Sequence, residues 1–138
     1  MDTTCAYCME GELVEKFGIK ICELTTCNVY LFKEQSHKGR CIVAHKKHVG
    51  DISELSADER AMYIEDVAKV SRAIQAAFSP DKVNYGAYGD TGHHLHFHLV
   101  PKYRDQFEWG GTFEMNPDRL YLSNAEYSDI IEKINKFL

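Results

Sequence analysis

The chain has 138 residues, 44% of them hydrophobic and 12% aromatic, which is the length and apolar content of one domain with a real core. A formal net charge of −5 supplies no basic face, so a general nucleic-acid or membrane-surface binder is disfavoured, while a phosphorylated small molecule can still meet a local cationic site. Met1 is followed by Asp2-Thr3-Thr4 without a basic-then-apolar leader, no apolar run approaches membrane-spanning length, and the five cysteines form an odd set without framework spacing; a cytoplasmic protein with reduced or metal-bound cysteines is expected.

Cys5-Ala6-Tyr7-Cys8 opens the chain, and two thiolates at this spacing have the bite of one Zn²⁺ ion. The pair alone does not decide. Two buried thiols are the plain alternative, a redox pair would need a thioredoxin-like βαβ context that is missing, and a metal would need two more ligands. The runs over 19–24 and 27–32, separated by Thr25-Thr26, predict a β-hairpin. A polar connection over 33–38 and Gly39-Arg40 then lead into a short apolar strand over 41–44, which ends in His45-Lys46-Lys47-His48, where Lys46 and Lys47 read as a solvated strand end. Ser56-Ala57-Asp58-Glu59 is a capping box, and Tyr63, Val67, Val70, Ile74 and Phe78 recur at helical spacing until Ser79-Pro80. A long helix is predicted, with that stripe in the core and Glu65, Lys69 and Arg72 in solvent.

Residues 83–88 read as another strand, and Gly89-Asp90-Thr91-Gly92 is a turn that delivers the chain to His94-Leu95-His96-Phe97-His98-Leu99-Val100-Pro101. Alternation along a strand puts His94, His96 and His98 on one face and Leu95, Phe97 and Leu99 on the other. Same-side neighbours sit roughly 6–7 Å apart, within reach of one phosphate or one metal ion. The glycines beside Thr91 either simply make the turn or leave its hydroxyl as a donor to a leaving-group oxygen. Beyond Pro101 the periodicity is lost, so 103–122 is expected to be a long loop, a lid, a partner contact or a cover for a sheet edge. Ser123-Asn124-Ala125-Glu126 caps a closing helix over 123–138, with Tyr127, Ile130, Ile131, Ile134 and Phe137 or Leu138 along one side.

The run His94 to Val100 resembles the His-φ-His-φ-His-φ-φ signature of the histidine triad (HIT) family of nucleotide hydrolases and transferases. The likeness reaches from the N-terminal Cys-x-x-C through Gly39 to His48 and on to Pro101-Lys102. It implies a single α+β domain over 1–138, an antiparallel sheet of about five strands packed with the long central helix and the C-terminal helix, usually as a homodimer. In the family the middle histidine, here His96, attacks the α-phosphate of a nucleotide and forms a nucleotidyl-histidine that water hydrolyses. Neutral imidazole is a competent nucleophile near pH 7. By the same resemblance His98 and Thr91 assist the phosphoryl oxygens and leaving group, and Asn84 falls at a common family position. Some members hold zinc on a set that maps to Cys5, Cys8, His48 and His94, a closed Cys₂His₂ structural site; His93 would be the fallback ligand.

The chain departs from the pattern at several positions. Arg40 stands where many members have His after the Gly, Asp90 where many have Gln, Lys102 where many have Arg, and Phe32 or Glu34 near the place of a ribose-gripping acid. Arg40 reads either as a phosphate clamp or as an exposed strand-edge residue; with Asn84, Asp90 and Lys102 it completes the candidate substrate-binding set. The leading expectation is therefore a nucleoside phosphoramidate or dinucleoside polyphosphate hydrolase or transferase with structural Zn²⁺. Two others stay open: a hydrolase in which the histidine row holds a catalytic Zn²⁺, and a non-catalytic nucleotide- or partner-binding module.

Overall fold

The computed structural model describes residues 3–138; Met1 and Asp2, on which the expectation of a leaderless start partly rests, lie outside the described residues. Two one-turn helices, α1 (Ala6–Met9) and α2 (Glu12–Glu15), precede β1 (Gly18–Glu23), β2 (Cys27–Phe32) and β3 (Cys41–His45). A 3₁₀ turn (Ile52–Glu54) leads into α3 (Ala57–Phe78), and β4 (Lys82–Gly86), β5 (His96–Lys102) and α4 (Asn124–Asn135) complete the chain. The five strands form one sheet in the order β1-β2-β3-β5-β4, with every neighbouring pair antiparallel, which is the α+β architecture expected. Among the described residues no helix is long and apolar enough to cross a membrane.

The sequence dictates the two faces of this sheet. Val29 and Leu31 of β2, Val43 of β3 and Leu99 of β5 point to one side, where they meet Tyr63, Val67, Val70 and Ile74 of α3 and Ile130 and Ile134 of α4 in the main core. The intervening residues Tyr30, Phe32, Ile42 and Ala44 point the other way, against Val14 and the flanks of α1 and α2. Those two short helices cover only part of that side, and the rest is a cleft. Both long helices start on the predicted capping boxes, at Ser56 and Ser123, each with reciprocal bonds to the Glu three residues on. The β1-β2 turn is tied to α3: Thr26 donates its amide and its hydroxyl to Asp66 Oδ2 at 2.9 and 2.7 Å.

Two strand ends differ from expectation by two residues, and two short helices are unforeseen. β5 starts at His96 rather than His94, because Leu95 N–H donates to the Val49 carbonyl and His45 N–H to the Leu95 carbonyl, drawing 94–95 toward the segment after β3. β4 ends at Gly86, where a Cβ would lie 2.6 Å from the Tyr88 ring and 2.7 Å from that of Phe113, so the chain folds back too closely for a side chain. The short helices α1 and α2 have no periodic signal, and α1 has no side-chain cap.

Residues 103–122 hold no helix or strand and are fastened to the 33–40 connection. Glu34 takes Arg119 and Leu120 N–H at 2.7 and 3.0 Å, Gln35 N–H donates to the Leu120 carbonyl, and the Tyr103 hydroxyl donates to the Lys38 carbonyl. The tight entry to β3 depends on Gly39, whose φ is +92° and where a Cβ would lie 2.8 Å from the Phe78 ring. Gly39→Ala is expected to lower stability by about 1–3 kcal/mol, seen as a lower urea midpoint at unchanged slope.

Candidate active site and metal centre

A cleft of about 900 Å³ opens on the face of the sheet opposite α3, with His96 and His98 in its floor. They come from alternate positions of β5, opposite Ala44 and Ile42 of β3, and their ring centroids are 5.3 Å apart. Phe97 and Leu99 go to the core side, so the predicted division of the row holds for these four residues. Asp90 and Thr91 line the same cleft from the β4-β5 connection, and Thr112, Phe113 and Met115 wall it from the long loop of the same chain.

Each histidine of the row has one ring nitrogen committed to the scaffold. His94 Nε2 donates to the His45 carbonyl at 2.6 Å, which leaves its Nδ1 as a lone pair. His96 Nδ1 donates to the His94 carbonyl at 2.7 Å, which leaves Nε2 unprotonated in the neutral ring. Burial pulls the His96 pKa below the ordinary imidazole value, and the bond to His94 O only partly offsets it, so the ring is neutral at pH 7. His98 Nδ1 accepts from Arg40 Nη2 at 3.1 Å, so its proton sits on Nε2. Burial, then the Arg40 charge and His96, push its pKa down to about 2.

His94 belongs to a different site from the other two. Its Nδ1 gathers with Cys5 Sγ, Cys8 Sγ and His48 Nδ1, all four atoms lying within 4.8 Å of one another. Cys8 Sγ is 3.0 Å from His48 Nδ1 and 3.4 Å from His94 Nδ1; Cys5 Sγ is 3.3 Å from His94 Nδ1, and the two imidazole nitrogens are 3.1 Å apart. The edges of a tetrahedron with metal–sulfur bonds of about 2.3 Å and metal–nitrogen bonds of about 2.0 Å come to roughly 3.3–3.8 Å, so two thiols and two imidazoles at these separations fit one zinc-type ion. The His45 carbonyl supplies the outer hydrogen bond that such a ligand needs. His93 lies apart from the group, with its ring against Gly50 and 6.1 Å from that of His48. The arrangement in which His94, His96 and His98 share one catalytic ion is not assembled.

The remaining predicted residues are placed less uniformly. Arg40 is neither an exposed edge residue nor a wall of the cleft: it is wholly buried beneath it, with its guanidinium over the Phe32 ring at 4.0 Å. Asn84 and Lys102 lie away from the cleft in this chain, at a separate cavity of about 280 Å³ beside Trp109. Lys102 is buried and donates to the Glu108 and Gly111 carbonyls at 2.7 and 2.8 Å, so its charge anchors the loop. Sequence reasoning missed Tyr7, whose ring sits 5.1 Å from that of His96 and 5.4 Å from that of His94. Its position inside the Cys-x-x-C motif was the available signal. It also missed Glu34 as the loop's fastening, because a carboxylate that accepts backbone amides leaves no pattern in a sequence.

A family model for the HIT domain matches residues 15–105. The chain belongs to the histidine triad (HIT) family. Among relatives of this HIT protein, the adenosine 5′-monophosphoramidase hnt1 of Schizosaccharomyces pombe is 25% identical over 141 residues, covering 94% of this chain and 99% of that protein. The crystal structure of a HIT protein from Sinorhizobium meliloti superposes with a TM-score of 0.85 at 22% identity, covering 93% of this chain and 95% of that one. A zinc-bound HIT family protein from Mycobacterium smegmatis gives a TM-score of 0.67 at 18% identity, covering 96% of this chain and 94% of that one. These likenesses establish the sheet and helices as the HIT fold.

Glu34 is the test of how the cleft's loop wall is held. Burial alone would raise its pKa, but bonds from Ser36, Arg119 and Leu120 outweigh it and hold the carboxyl below the ordinary value. Glu34→Ala is expected to cost about 1–3 kcal/mol and to speed hydrogen exchange at the Arg119 and Leu120 amides while β3 and β5 stay protected.

Proposed function

We propose that this HIT protein is a nucleotide hydrolase or nucleotidyl transferase, acting at the α-phosphate of a nucleoside phosphoramidate or dinucleoside polyphosphate through a nucleotidyl-His96 intermediate. The observation that carries the reading is the bond from His96 Nδ1–H to the His94 carbonyl, which leaves the Nε2 lone pair of a neutral imidazole in the cleft. The phosphoramidase activity named for the Schizosaccharomyces relative supports the substrate class.

In this mechanism His96 Nε2 attacks the α-phosphorus, a P–N bond forms, and the bond from phosphorus to the amine or phosphate leaving group breaks with its electron pair leaving on that group. A departing amine takes up a proton from solvent; water then attacks the same phosphorus and gives a proton back to solvent, the P–N bond breaks, and the pair returns to Nε2. His98 Nε2–H donates to a non-bridging oxygen on which charge develops, and the Thr91 hydroxyl stands at the rim for the leaving group. Phe113 and Tyr7 shield the reacting face from bulk water, their rings lying 6.3 Å from His98 and 5.1 Å from His96.

Cys5, Cys8, His48 and His94 would hold a structural zinc ion, which pins the N-terminal segment to the sheet. The zinc-bound Mycobacterium neighbour is in keeping with this. The reading includes a reducing, cytoplasmic setting in which these thiols are free to bind metal, and a homodimer as the working unit.

His96→Ala is expected to release AMP from adenosine 5′-phosphoramidate at least about 10³-fold more slowly than the native protein while keeping its thermal midpoint. Release at the native rate by that folded variant defeats the covalent reading. A non-catalytic nucleotide-binding module instead predicts binding without product from the native protein as well. Elemental analysis should find one zinc per chain, lost in Cys8→Ser. Chelation should lower the thermal midpoint first and leave turnover intact at temperatures where the protein stays folded; immediate loss reversed by Zn²⁺ would instead mean a catalytic ion.

A further inference from the structure

Among the described residues Arg40 is the largest wholly buried side chain, and none of its contacts is accounted for by clamping a phosphate. Its guanidinium lies over the Phe32 ring at 4.0 Å and near the Phe113 ring at 5.1 Å. Nη1 donates to the Glu114 carbonyl at 3.2 Å, and Nη2 donates to the Met115 carbonyl at 2.8 Å and to His98 Nδ1 at 3.1 Å. Nε is buried without a hydrogen-bond partner, and among the described residues no carboxylate lies within ion-pair distance of the group. Burial lowers its pKa to about 10, with Glu34 and Glu108 acting against that from a distance, so it is charged at neutral pH.

A buried, unpaired cation is costly, and a neutral side chain of similar size would fill this space more cheaply. What the guanidinium alone supplies is a rigid fork with donors only. Because it cannot accept, the His98 nitrogen that it touches must carry the lone pair. Because the fork spans two places at once, the same group holds the backbone of 114–115, which belongs to the loop wall of the cleft.

We infer that Arg40 is a positioning residue: it fixes His98 as the Nε2–H tautomer, the form able to donate into the cleft, and links that tautomer to the seating of the loop segment 114–115. The importance of this for turnover rests on the nucleotidyl-His96 reading, whereas the tautomer does not. Lysine keeps the charge but is a single donor point that cannot bridge the loop carbonyls and His98 together, and methionine keeps apolar bulk without any donor.

The test is long-range ¹H–¹⁵N spectroscopy of the histidine rings at neutral pH on the zinc-loaded native protein, Arg40→Lys and Arg40→Met, with His98→Asn used to assign the signals. The native protein should show His98 as a single Nε2–H tautomer, and both variants should show a mixture or an Nδ1–H form. In AMP release, both should lower kcat on the order of tenfold or more with KM changed far less, because His98 remains in place but no longer presents its proton reliably. A native His98 with its proton on Nδ1, or folded variants that keep a pure Nε2–H signal, would overturn the inference. Should neither variant fold, the native spectrum decides by the same criterion. If the tautomer responds as expected while the native protein hydrolyses no phosphoramidate or dinucleoside polyphosphate, the proposed function fails and the positioning role of Arg40 stands.

Discussion

Because side chains alternate across β5, a single strand serves as both an anchor in the core and a chemical surface. Phe97 and Leu99 are gripped on one side by the core that α3 packs onto the sheet, and this leaves His96 and His98 no freedom to be anywhere but on the other side. A slip of one residue in the β3-β5 pairing would bury two imidazoles among Val67, Val70 and Ile74 and expose two large apolar side chains, so the core that stabilises the sheet also fixes the register of the site. Everything else in the cleft is added to that frame: the turn bearing Thr91 from one end, the loop bearing Phe113 from the other, and the N-terminal segment bearing Tyr7 over the top.

Three histidines in one row present three different groups because the scaffold engages a different ring nitrogen or a different partner of each. A backbone carbonyl takes Nε2–H of His94, another takes Nδ1–H of His96, and a guanidinium donates to Nδ1 of His98. What is left over is, in turn, a lone pair facing two thiols, a lone pair facing the cleft, and an N–H facing the cleft. The assignments are linked along the chain, since the carbonyl of His94 orients His96 while its ring joins the cysteines. Displacing His94 would therefore disturb both the orientation of His96 and the Cys/His cluster.

The parts of this structure that were legible in the sequence are those with a period or a cap. The two capping boxes, the alternation of β5 and the hairpin turn at Thr25-Thr26 each act within a few residues, and the elements they predict stand where expected to within two residues at the ends, except that the closing helix stops at Asn135 rather than 138. Of the four residues in the Cys/His cluster, Cys5 and Cys8 were legible from their own spacing, but His48 and His94 were assigned to them only through the family resemblance, for nothing local connects Cys8 with His48 across forty positions of chain. Arg40 was misread because its surroundings are made by a loop more than seventy residues downstream, and a cation beside a strand has no way of signalling that carbonyls from Glu114 and Met115 will enclose it. Lys102 was drawn toward the substrate by the resemblance for a similar reason, whereas its ammonium is spent on the carbonyls of Glu108 and Gly111.

The N-terminal segment joins the two sites physically. α1 is a single turn of four residues with no side-chain cap, too short to hold itself together, so its place is decided by what it touches. Cys5 and Cys8 face the imidazoles of His48 and His94, while Tyr7, between them, packs against Phe17, Tyr30 and the rings of His94 and His96. One turn of helix with its N-cap thus presents two sulfurs to the imidazoles of His48 and His94 and an aromatic ring to the cleft. Burial drives the Tyr7 hydroxyl pKa upward, so the ring enters the cleft wall as a neutral aromatic surface. A metal ion on the four donors would replace weak thiol contacts by coordinate bonds at both ends of that turn. The seating of Tyr7 beside His96 would then be set by the same bonds that stabilise the fold, which is why a structural ion in this position belongs to the architecture of the cleft although it lies outside it.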